Sequence, residues 1–159
     1  MREIKSPCKL EWRPDETAIF LGGSIEMGTA EDWQSKLVNE LVDKNVVSLN
    51  PRRDQWDSSW EQSINNPLFR EQVNWELNAL EAADLVVFYF DPKTLAPITL
   101  LELGLHAHLG QRVIVCCPSG YWRRGNVEIV CDRYNLKFTN TFDDLVQELK
   151  HRVDPGGNQ

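Results

Sequence analysis

Several patterns that define large classes of protein are missing from this sequence of 159 residues. Basic residues are in the minority, 17 Lys and Arg against 24 Asp and Glu, which gives a net charge of −7. Proteins that bind a nucleic-acid polymer usually carry a basic surface, so we expect no such partner. No apolar run reaches the roughly 20 residues that cross a bilayer, and the first residues, MREIKSPCKLEW, lack the apolar segment of a signal peptide. We therefore predict a cytoplasmic protein without a membrane partner.

Motifs that bind metals and common cofactors are also missing. The four cysteines have no CxxC spacing, and neither GxGxxG nor GKS/T occurs. These absences argue against the usual zinc and redox motifs, the dinucleotide fingerprint and the P-loop. Cys116 and Cys117 lie next to each other in an apolar run, which favours free, buried thiols in a reducing compartment. We predict no metal and no cofactor.

Apolar runs that alternate with amphipathic segments make up most of the chain. We interpret residues 1–16 as an N-terminal arm, 17–153 as a single α/β domain and 154–159 as a flexible tail. The alternation predicts a flavodoxin-like or Rossmann-like three-layer sandwich with a central, mostly parallel sheet of about five strands. The predicted strands cover 17–23, 45–50, 84–90 and 112–117, and the predicted helices cover 29–44, 68–83, 99–109 and 141–152.

Three helix starts carry capping signals. Thr29 with Asp32 forms a capping box at the first helix, and Asn66 followed by Pro67 starts the second. In the third helix, Thr99 and Glu102 form a T-x-x-E capping box.

That third helix also poses a question of function. Glu102 is the one acid in PITLLELGLH, a helix that is apolar almost all round and is therefore expected to be buried. Capping by Thr99 explains the acid, but a buried carboxylate is costly unless it lines a cavity. A structural role and a chemical role both stay open at this point. His106, four residues later, is interpreted as a structural histidine.

In parallel sheets, ligands bind at the carboxyl ends of the strands, so the residues that follow each strand are candidates for a site. Gly22, Gly23, Ser24 and Ile25 follow the first predicted strand, where glycines allow either a close ligand or a tight turn. The second strand is followed by a charged loop, which is either solvated or able to bind oxygens and planar rings. Its candidate residues are Asn50, Arg52 and Trp56.

Three acids complete the candidate site. Asp91 directly follows the third predicted strand, Glu102 lies in the next helix, and Glu76 lies in the preceding helix. We expect these three carboxyl groups to meet at one mouth. Gln72 precedes Glu76 by four residues, so both side chains share one face of their helix.

The ordered motifs resemble one known family. IFLGGSI, LNPRRDQW, EQVNWELNALEAADLVVFYFDP, PITLLELGLH and RRGNVEIVC are together similar to the nucleoside 2-deoxyribosyltransferase-like family, over roughly residues 17 to 134. The resemblance implies a flavodoxin-like fold and a nucleophilic glutamate at Glu102. It further implies that Glu76 helps to hold the nucleoside and that Asp91 acts on the base and its protonation.

The resemblance also extends to the substrate loop and to assembly. It implies that residues Gly22 to Ile25 form the sugar-side loop and that Asn126 is contributed to a neighbouring subunit. A homo-oligomer with its active site near a subunit interface is therefore expected. The C-terminal end, GGNQ, lacks the aromatic residue that some members place over the site.

These observations predict a nucleoside 2-deoxyribosyltransferase that acts in nucleotide salvage on a nucleoside and a free nucleobase. Glu102 would form a covalent intermediate, with its pKa lowered at the start of its helix, and Trp56 and Trp60 would stack on the base. One alternative is an N-glycosidase that hydrolyses a nucleoside or its 5′-monophosphate, and a further alternative is a non-catalytic nucleotide-binding module. In the monophosphate case the phosphate would meet Arg52, Arg53, Arg123 and Arg124.

Overall fold

The residues that the computed structural model describes, 1–26 and 30–154, contain one sheet of six parallel strands. The order across the sheet is β1-β3-β2-β4-β5-β6. The strands are β1 (Arg2–Lys5), β2 (Thr17–Gly23), β3 (Val46–Asn50), β4 (Leu85–Tyr89), β5 (Val113–Cys116) and β6 (Lys137–Thr139).

Helices cover both faces of this sheet. Two hydrophobic clusters show the layers: α2, α3 and α4 pack on one face, and α1 and α5 pack on the other. The helices are α1 (Trp33–Glu40), α2 (Pro67–Ala82), α3 (Pro97–His106), α4 (Arg124–Arg133) and α5 (Phe142–Val153), and a 3-10 helix (Ala107–Arg112) follows α3.

Strand β4 shows why the sheet is buried on both sides. Val86 and Phe88 pack in the cluster that includes α2, α3 and α4, whereas Val87 and Tyr89 pack in the cluster that includes α1 and α5. A continuous apolar run suits this position because successive side chains point to opposite, equally buried faces. None of the described helices has the length and apolar composition that crossing a membrane requires.

The predicted fold class is confirmed. Without the edge strand β1, the order is that of a flavodoxin-like sheet, in which the direction of winding changes between the first and third strands. These strands are β2 and β4 in this chain, and they are neighbours from Ile19 opposite Leu85 to Gly23 opposite Tyr89. Ligands of such sheets bind beside this switch point.

Three elements differ from the sequence prediction. β1 lies in the segment interpreted as an arm, and two hydrogen bonds fasten the residues after it to α2: Ser6 Oγ donates to Gln72, and the Trp75 indole donates to the Cys8 carbonyl. Helix α4 and strand β6 lie between residues 117 and 141, where the sequence analysis predicted neither a helix nor a strand. β1 has four residues and β6 has three, too few for a periodic pattern to show.

The helix starts agree with the prediction at one of three positions. Asn66 caps α2 through its side chain and Pro67 is the first helical residue, as predicted. α1 begins at Trp33 and is capped by Asp32, which accepts a hydrogen bond from Ser35 N–H. The expected cap, Thr29, lies outside the described residues, as do residues 155–159 of the expected tail.

Candidate functional site

The glycines at the end of β2 serve close packing. A Cβ atom on Gly22 would lie 2.9 Å from the rings of Phe20 and Phe88. On Gly23 it would lie 2.6 Å from the Tyr89 carbonyl oxygen and 2.7 Å from the Trp33 ring. All of these distances are shorter than the contacts that real Cβ atoms make. Close packing within the chain is therefore enough to explain why glycine occupies both positions.

Ser24 ties the loop after β2 to the loop after β4. Its N–H donates to the Tyr89 carbonyl at 3.1 Å, and its hydroxyl oxygen accepts the Asp91 N–H at 3.0 Å. The Thr94 hydroxyl shares a further hydrogen bond of 2.6 Å with Ser24 Oγ. Asp91 is buried and its Oδ1 accepts the Lys93 N–H at 2.8 Å, so one of its carboxylate oxygens closes a turn.

Glu26 also links the loop after β2 to the loop after β4. The N-cap residue of α3, Ala96, has no side chain that could cap the helix, and Glu26 binds the backbone there instead. Its Oε1 accepts the N–H groups of Leu95 and Ala96 at 3.2 and 2.9 Å. Glu26 and Ala96 both have φ of 46°, in the left-handed region that side chains disfavour. Such strained residues persist where the surroundings fix them, and they concentrate at functional sites. The loop is also held from α4's side, because the Tyr121 hydroxyl and the Trp122 indole donate to the Leu95 carbonyl.

The capping box predicted for α3 is wrong. The helix begins at Pro97 after the N-cap Ala96, so Thr99 is already inside the helix. The N-cap residue makes no side-chain hydrogen bond to the first turn of α3. Glu102 consequently lies on the second turn, away from the N–H groups of the first turn. A capping role therefore does not explain this acid.

Glu102 is also not held in its charged form. The residue is 7% exposed, and burial, together with the negative charge of Glu76, raises its pKa to about 8. This reverses the predicted lowering of the pKa. The helix start stabilises an anion only within about one turn, and burial of a carboxylate outweighs it here. His106 is buried, and its Nδ1 lies 3.0 Å from the Glu102 carbonyl oxygen, which fits the structural interpretation of this residue.

Glu76 is the acid that faces Glu102 from α2. Burial raises its pKa to about 7, and a hydrogen bond from Gln72 acts in the opposite direction. Gln72 Nε2 donates to Glu76 Oε1 at 2.7 Å, so the predicted shared helix face is observed. No Lys or Arg of the described residues forms an ion pair with Glu76 or Glu102. The structure thus brings two carboxyl groups together without a cation.

The end of β3 carries a second polar group. Asn50 is buried, and its side chain accepts the Arg52 N–H and donates to Glu3. The Arg52 guanidinium makes contacts of 3.3 to 3.5 Å with the carbonyl oxygens of residues 30 and 31, the Gln34 side chain and Asp32. Gln34 is buried completely, and among residues 1–26 and 30–154 its Nε2 has no hydrogen-bond partner. The sequence prediction missed Gln34, because it occupies a core position of an amphipathic helix.

Trp56 and Trp60 lie in the loop between β3 and α2, and their rings contact each other. The rings of Trp56 and Trp60 lie 5.2 Å apart at 60°, and the Arg53 guanidinium lies 5.2 Å from the Trp60 ring. Arg53 also forms an ion pair with Glu71 at 2.9 Å. Trp56 is half-buried, and its indole N–H has no hydrogen-bond partner in the part of the chain that the structure describes, so it retains a donor for a ligand.

The residues around the start of α4 are mostly exposed. Asn126 lies on the first turn of α4 with its side chain in solvent. Arg123 stacks on Trp122, whereas Arg124 pairs with Glu128 and Asn140. Within residues 1–26 and 30–154, no group of three or more His, Cys, Asp or Glu side chains is arranged to hold a metal ion.

One further surface contradicts the sequence prediction. α3 is not buried all round, because Ile98, Leu101 and Leu105 are 58%, 59% and 51% exposed. Their spacing of three and four residues places them in one row, which we call the α3 stripe. Gly104 is exposed beside it, and a Cβ atom there would meet no atom within 4 Å.

The described residues thus form an α/β protein with a flavodoxin-like sheet, and Glu76 and Glu102 lie on the two helices α2 and α3 that pack on the same face of that sheet. Residues 16–121 match the family model described as nucleoside 2-deoxyribosyltransferase like, and the chain belongs to that family.

Comparison with solved structures supports the fold. The chain is similar to a structure titled as a conserved protein from Enterococcus faecalis V583, with a TM-score of 0.58 and 16% sequence identity. The match covers 87% of this chain and 99% of the other chain. No curated protein matches the sequence.

Proposed function

We propose that the protein transfers a 2-deoxyribosyl group between nucleobases, with Glu102 as the nucleophile. The observation that carries the proposal is a pair of acids, Glu76 on α2, which is partly exposed, and Glu102 on α3, which is 7% exposed, because desolvation raises the pKa of both carboxyl groups. Buried, unpaired acids destabilise a fold, so their presence favours a chemical role. Family membership supports the same class of reaction.

The proposed reaction has two steps. Glu102 attacks the anomeric carbon of a 2′-deoxynucleoside, a C–O bond forms, and the electron pair of the C–N bond leaves with the base. The base takes up a proton at a ring nitrogen as it departs. In the second step a ring nitrogen of another base attacks the same carbon, loses its proton, and releases the Glu102 carboxylate. Two inversions at one carbon give overall retention.

Other residues have proposed roles in binding and proton transfer. Asp91 lies two residues after the end of β4, and its Oδ1 accepts the Lys93 N–H; we assign it to the base and its protonation. Glu76 is assigned to the nucleoside. The segment Gly22 to Ile25 is assigned to the sugar side, and Asn50, Arg52 and Trp56 are assigned to substrate binding at the ends of β2 and β3.

Proton sharing between the two glutamates suits this chemistry. In the free protein the two carboxyl groups have pKa values of about 7 and about 8, so near neutral pH the pair tends to hold a proton. A proton on Glu76 removes the like charge that opposes ionisation of Glu102. Glu102 then becomes available as a carboxylate for attack.

Base exchange is the experiment that tests the proposal. Incubation with deoxyinosine and adenine should yield deoxyadenosine and hypoxanthine, and Glu102→Gln and Glu102→Ala should abolish both products. Release of hypoxanthine without deoxyadenosine would show a hydrolase, and binding without base release would show a non-catalytic module. Mass spectrometry after treatment with a 2-fluoro-2-deoxy nucleoside should find the sugar on Glu102.

We also infer that the active unit is a homo-oligomer in which the α3 stripe meets a second copy. Ile98, Leu101 and Leu105 are exposed, apolar and uncharged in a chain of net charge −7. A two-fold interface places identical surfaces against each other, which favours an uncharged row over a charged one. Gly104 costs helix stability, and no atom of residues 1–26 and 30–154 lies within 4 Å of a Cβ placed there, but a glycine lets another helix approach closely.

The α3 stripe and the proposed nucleophile are on the same helix. Glu102 follows Leu101 directly and lies at the border between the exposed and the buried side of α3. A second copy on the stripe would therefore border the site, in line with the expected active site near a subunit interface. We also place the protein in the reducing cytoplasm, which suits the buried free thiols of Cys116, Cys117 and Cys131.

A further inference from the structure

Gln72 uses its whole side-chain amide in a buried junction of three segments. The residue is 3% exposed, and its carbonyl oxygen accepts the Ser6 hydroxyl at 2.5 Å. Its Nε2 donates to the Pro51 carbonyl at 2.8 Å and to Glu76 Oε1 at 2.7 Å. Gln72 therefore joins the segment after β1, the end of β3 and an acid of the proposed site.

The three bonds fix which way the amide points. The oxygen must face Ser6, which donates, and the nitrogen must face two acceptors, because exchanging the two ends would place oxygen against oxygen twice. A glutamate at position 72 would fill the same space but would offer no N–H group to Pro51 or Glu76. The network is thus specific for an amide and does not only fill volume.

One consequence concerns the orientation of Glu76. Oε1 is held by Gln72, so the carboxyl group cannot rotate freely, and no other hydrogen bond to it occurs within the described residues. The titratable group that acts on this side of α2 from the neighbouring helix α3 is Glu102. The fixed rotamer leaves Oε2 as the oxygen that is open to a proton or a ligand.

We propose that Gln72 is a positioning residue that holds Glu76 Oε1 and thereby presents Oε2 toward Glu102 and the bound nucleoside. The inference rests on the proposed function for its catalytic consequence, but the hold on Glu76 is a property of the free protein. Ser6 supports the arrangement from the far side of the amide, where its hydroxyl donates to the Gln72 oxygen.

The test combines titration with kinetics in the full chain. Gln72→Met keeps an unbranched side chain of similar length but removes the N–H donor. A hydrogen bond to the charged form favours that form, so the Glu76 carboxyl, followed by 13C NMR and assigned with Glu76→Gln, should titrate at higher pH in the variant. Base release should fall about tenfold to a hundredfold in kcat/KM, the range for losing one hydrogen bond to a charged group.

Ser6→Ala is the matched control, because it removes the outer hydrogen bond and leaves the bond to Glu76 intact. It should lower the melting temperature with little change in the titration of Glu76. An unchanged Glu76 titration in Gln72→Met, with only a lower melting temperature, would overturn the proposal. If that variant does not fold, Gln72→Leu removes the same donor without adding a titratable group, and the same titration of Glu76 decides the proposal.

Failure of the proposed function would look different. Wild-type protein would then release no base, whereas the titration of Glu76 would still respond to Gln72→Met and still decide the positioning role.

Discussion

The negative charge of Glu76 on α2 opposes the ionisation of Glu102 on α3, and the two helices cover the same face of the sheet. Burial raises the pKa of Glu102 to about 8, and the charge of Glu76 adds to this effect. A free glutamate has its pKa near 4.3. Glu102 is therefore mostly protonated where an ordinary surface glutamate is fully charged, and a nucleophile must first lose that proton.

The first prediction is a pH dependence of base release. The rate should rise as the pH increases from about 6 to about 8, because only the ionised Glu102 attacks, instead of levelling off near the pKa of a free glutamate. Single-turnover release of hypoxanthine from deoxyinosine across this range measures it.

Two variants sharpen this experiment. Glu76→Gln removes the like charge and should move the rising limb to lower pH, whatever its effect on the maximal rate. Glu81→Gln, an exposed position on the same helix, should leave the limb in place. A limb that stays in place in Glu76→Gln would contradict the coupling of the two carboxyl groups.

The second prediction concerns stability. The native protein keeps a proton on Glu102 that the unfolded chain has released between about pH 4.5 and about pH 8, so stability falls as the pH rises through this window. Glu102→Gln lacks this proton and should become more stable than the wild type toward pH 9, with each pKa unit worth about 1.4 kcal/mol. Urea unfolding at several pH values measures the difference.

Glu148 gives a control with the opposite sign. Partial burial raises its pKa, but hydrogen bonds from Arg152 and Lys137 prevail and lower it. Its contribution is therefore present above the unfolded pKa and is lost as the pH falls through the folded value. Glu148→Gln should lose stability at neutral pH and lose less in acid. A parallel response of the two variants would refute this account of Glu102.

Most of the fold and part of the candidate site could be predicted from the sequence. Long apolar runs such as β4 are recognisable because a strand buried on both faces needs an apolar residue at every position. Gln72 and Glu76 could be placed on one face because helix geometry alone brings residues four apart together. Both inferences depend on local spacing only.

The remaining features depend on contacts between distant parts of the chain. Pro97 at the first position of α3 is a local signal that the choice of Thr99 as the cap overlooked, whereas the hydrogen bonds of Glu26 to the N–H groups of residues 95 and 96 come from the distant loop after β2. The direction of the pKa shift at Glu102 depends on burial beside Glu76, 26 positions earlier in the sequence. Neither relationship leaves a local pattern that the sequence alone could reveal.

The third prediction tests the packing at the end of β2. Gly23→Ala places a Cβ atom 2.6 Å from the Tyr89 backbone oxygen, so the strands must separate, and the variant should lose about 1–3 kcal/mol of unfolding free energy. Gly125→Ala is the matched control on α4, where no atom lies within 4 Å of the new Cβ, and it should not destabilise the protein. Equal stability of Gly23→Ala and the wild type would show that the ends of β2 and β4 can separate at little cost in free energy.

The fourth prediction tests the α3 stripe. Leu101→Asp places a charge in the middle of the stripe, and in a two-fold contact the same charge would meet its own copy, so the oligomer should dissociate.

Val42→Asp is the control, because Val42 is 68% exposed but follows α1 on the other face of the sheet. Light scattering at micromolar concentration should find an oligomer for the wild type and for Val42→Asp, and a monomer for Leu101→Asp. A wild type that is monomeric under these conditions would rule out the second copy as the occupant of the stripe, and loss of base exchange in the Leu101→Asp monomer would tie assembly to the site around Glu102.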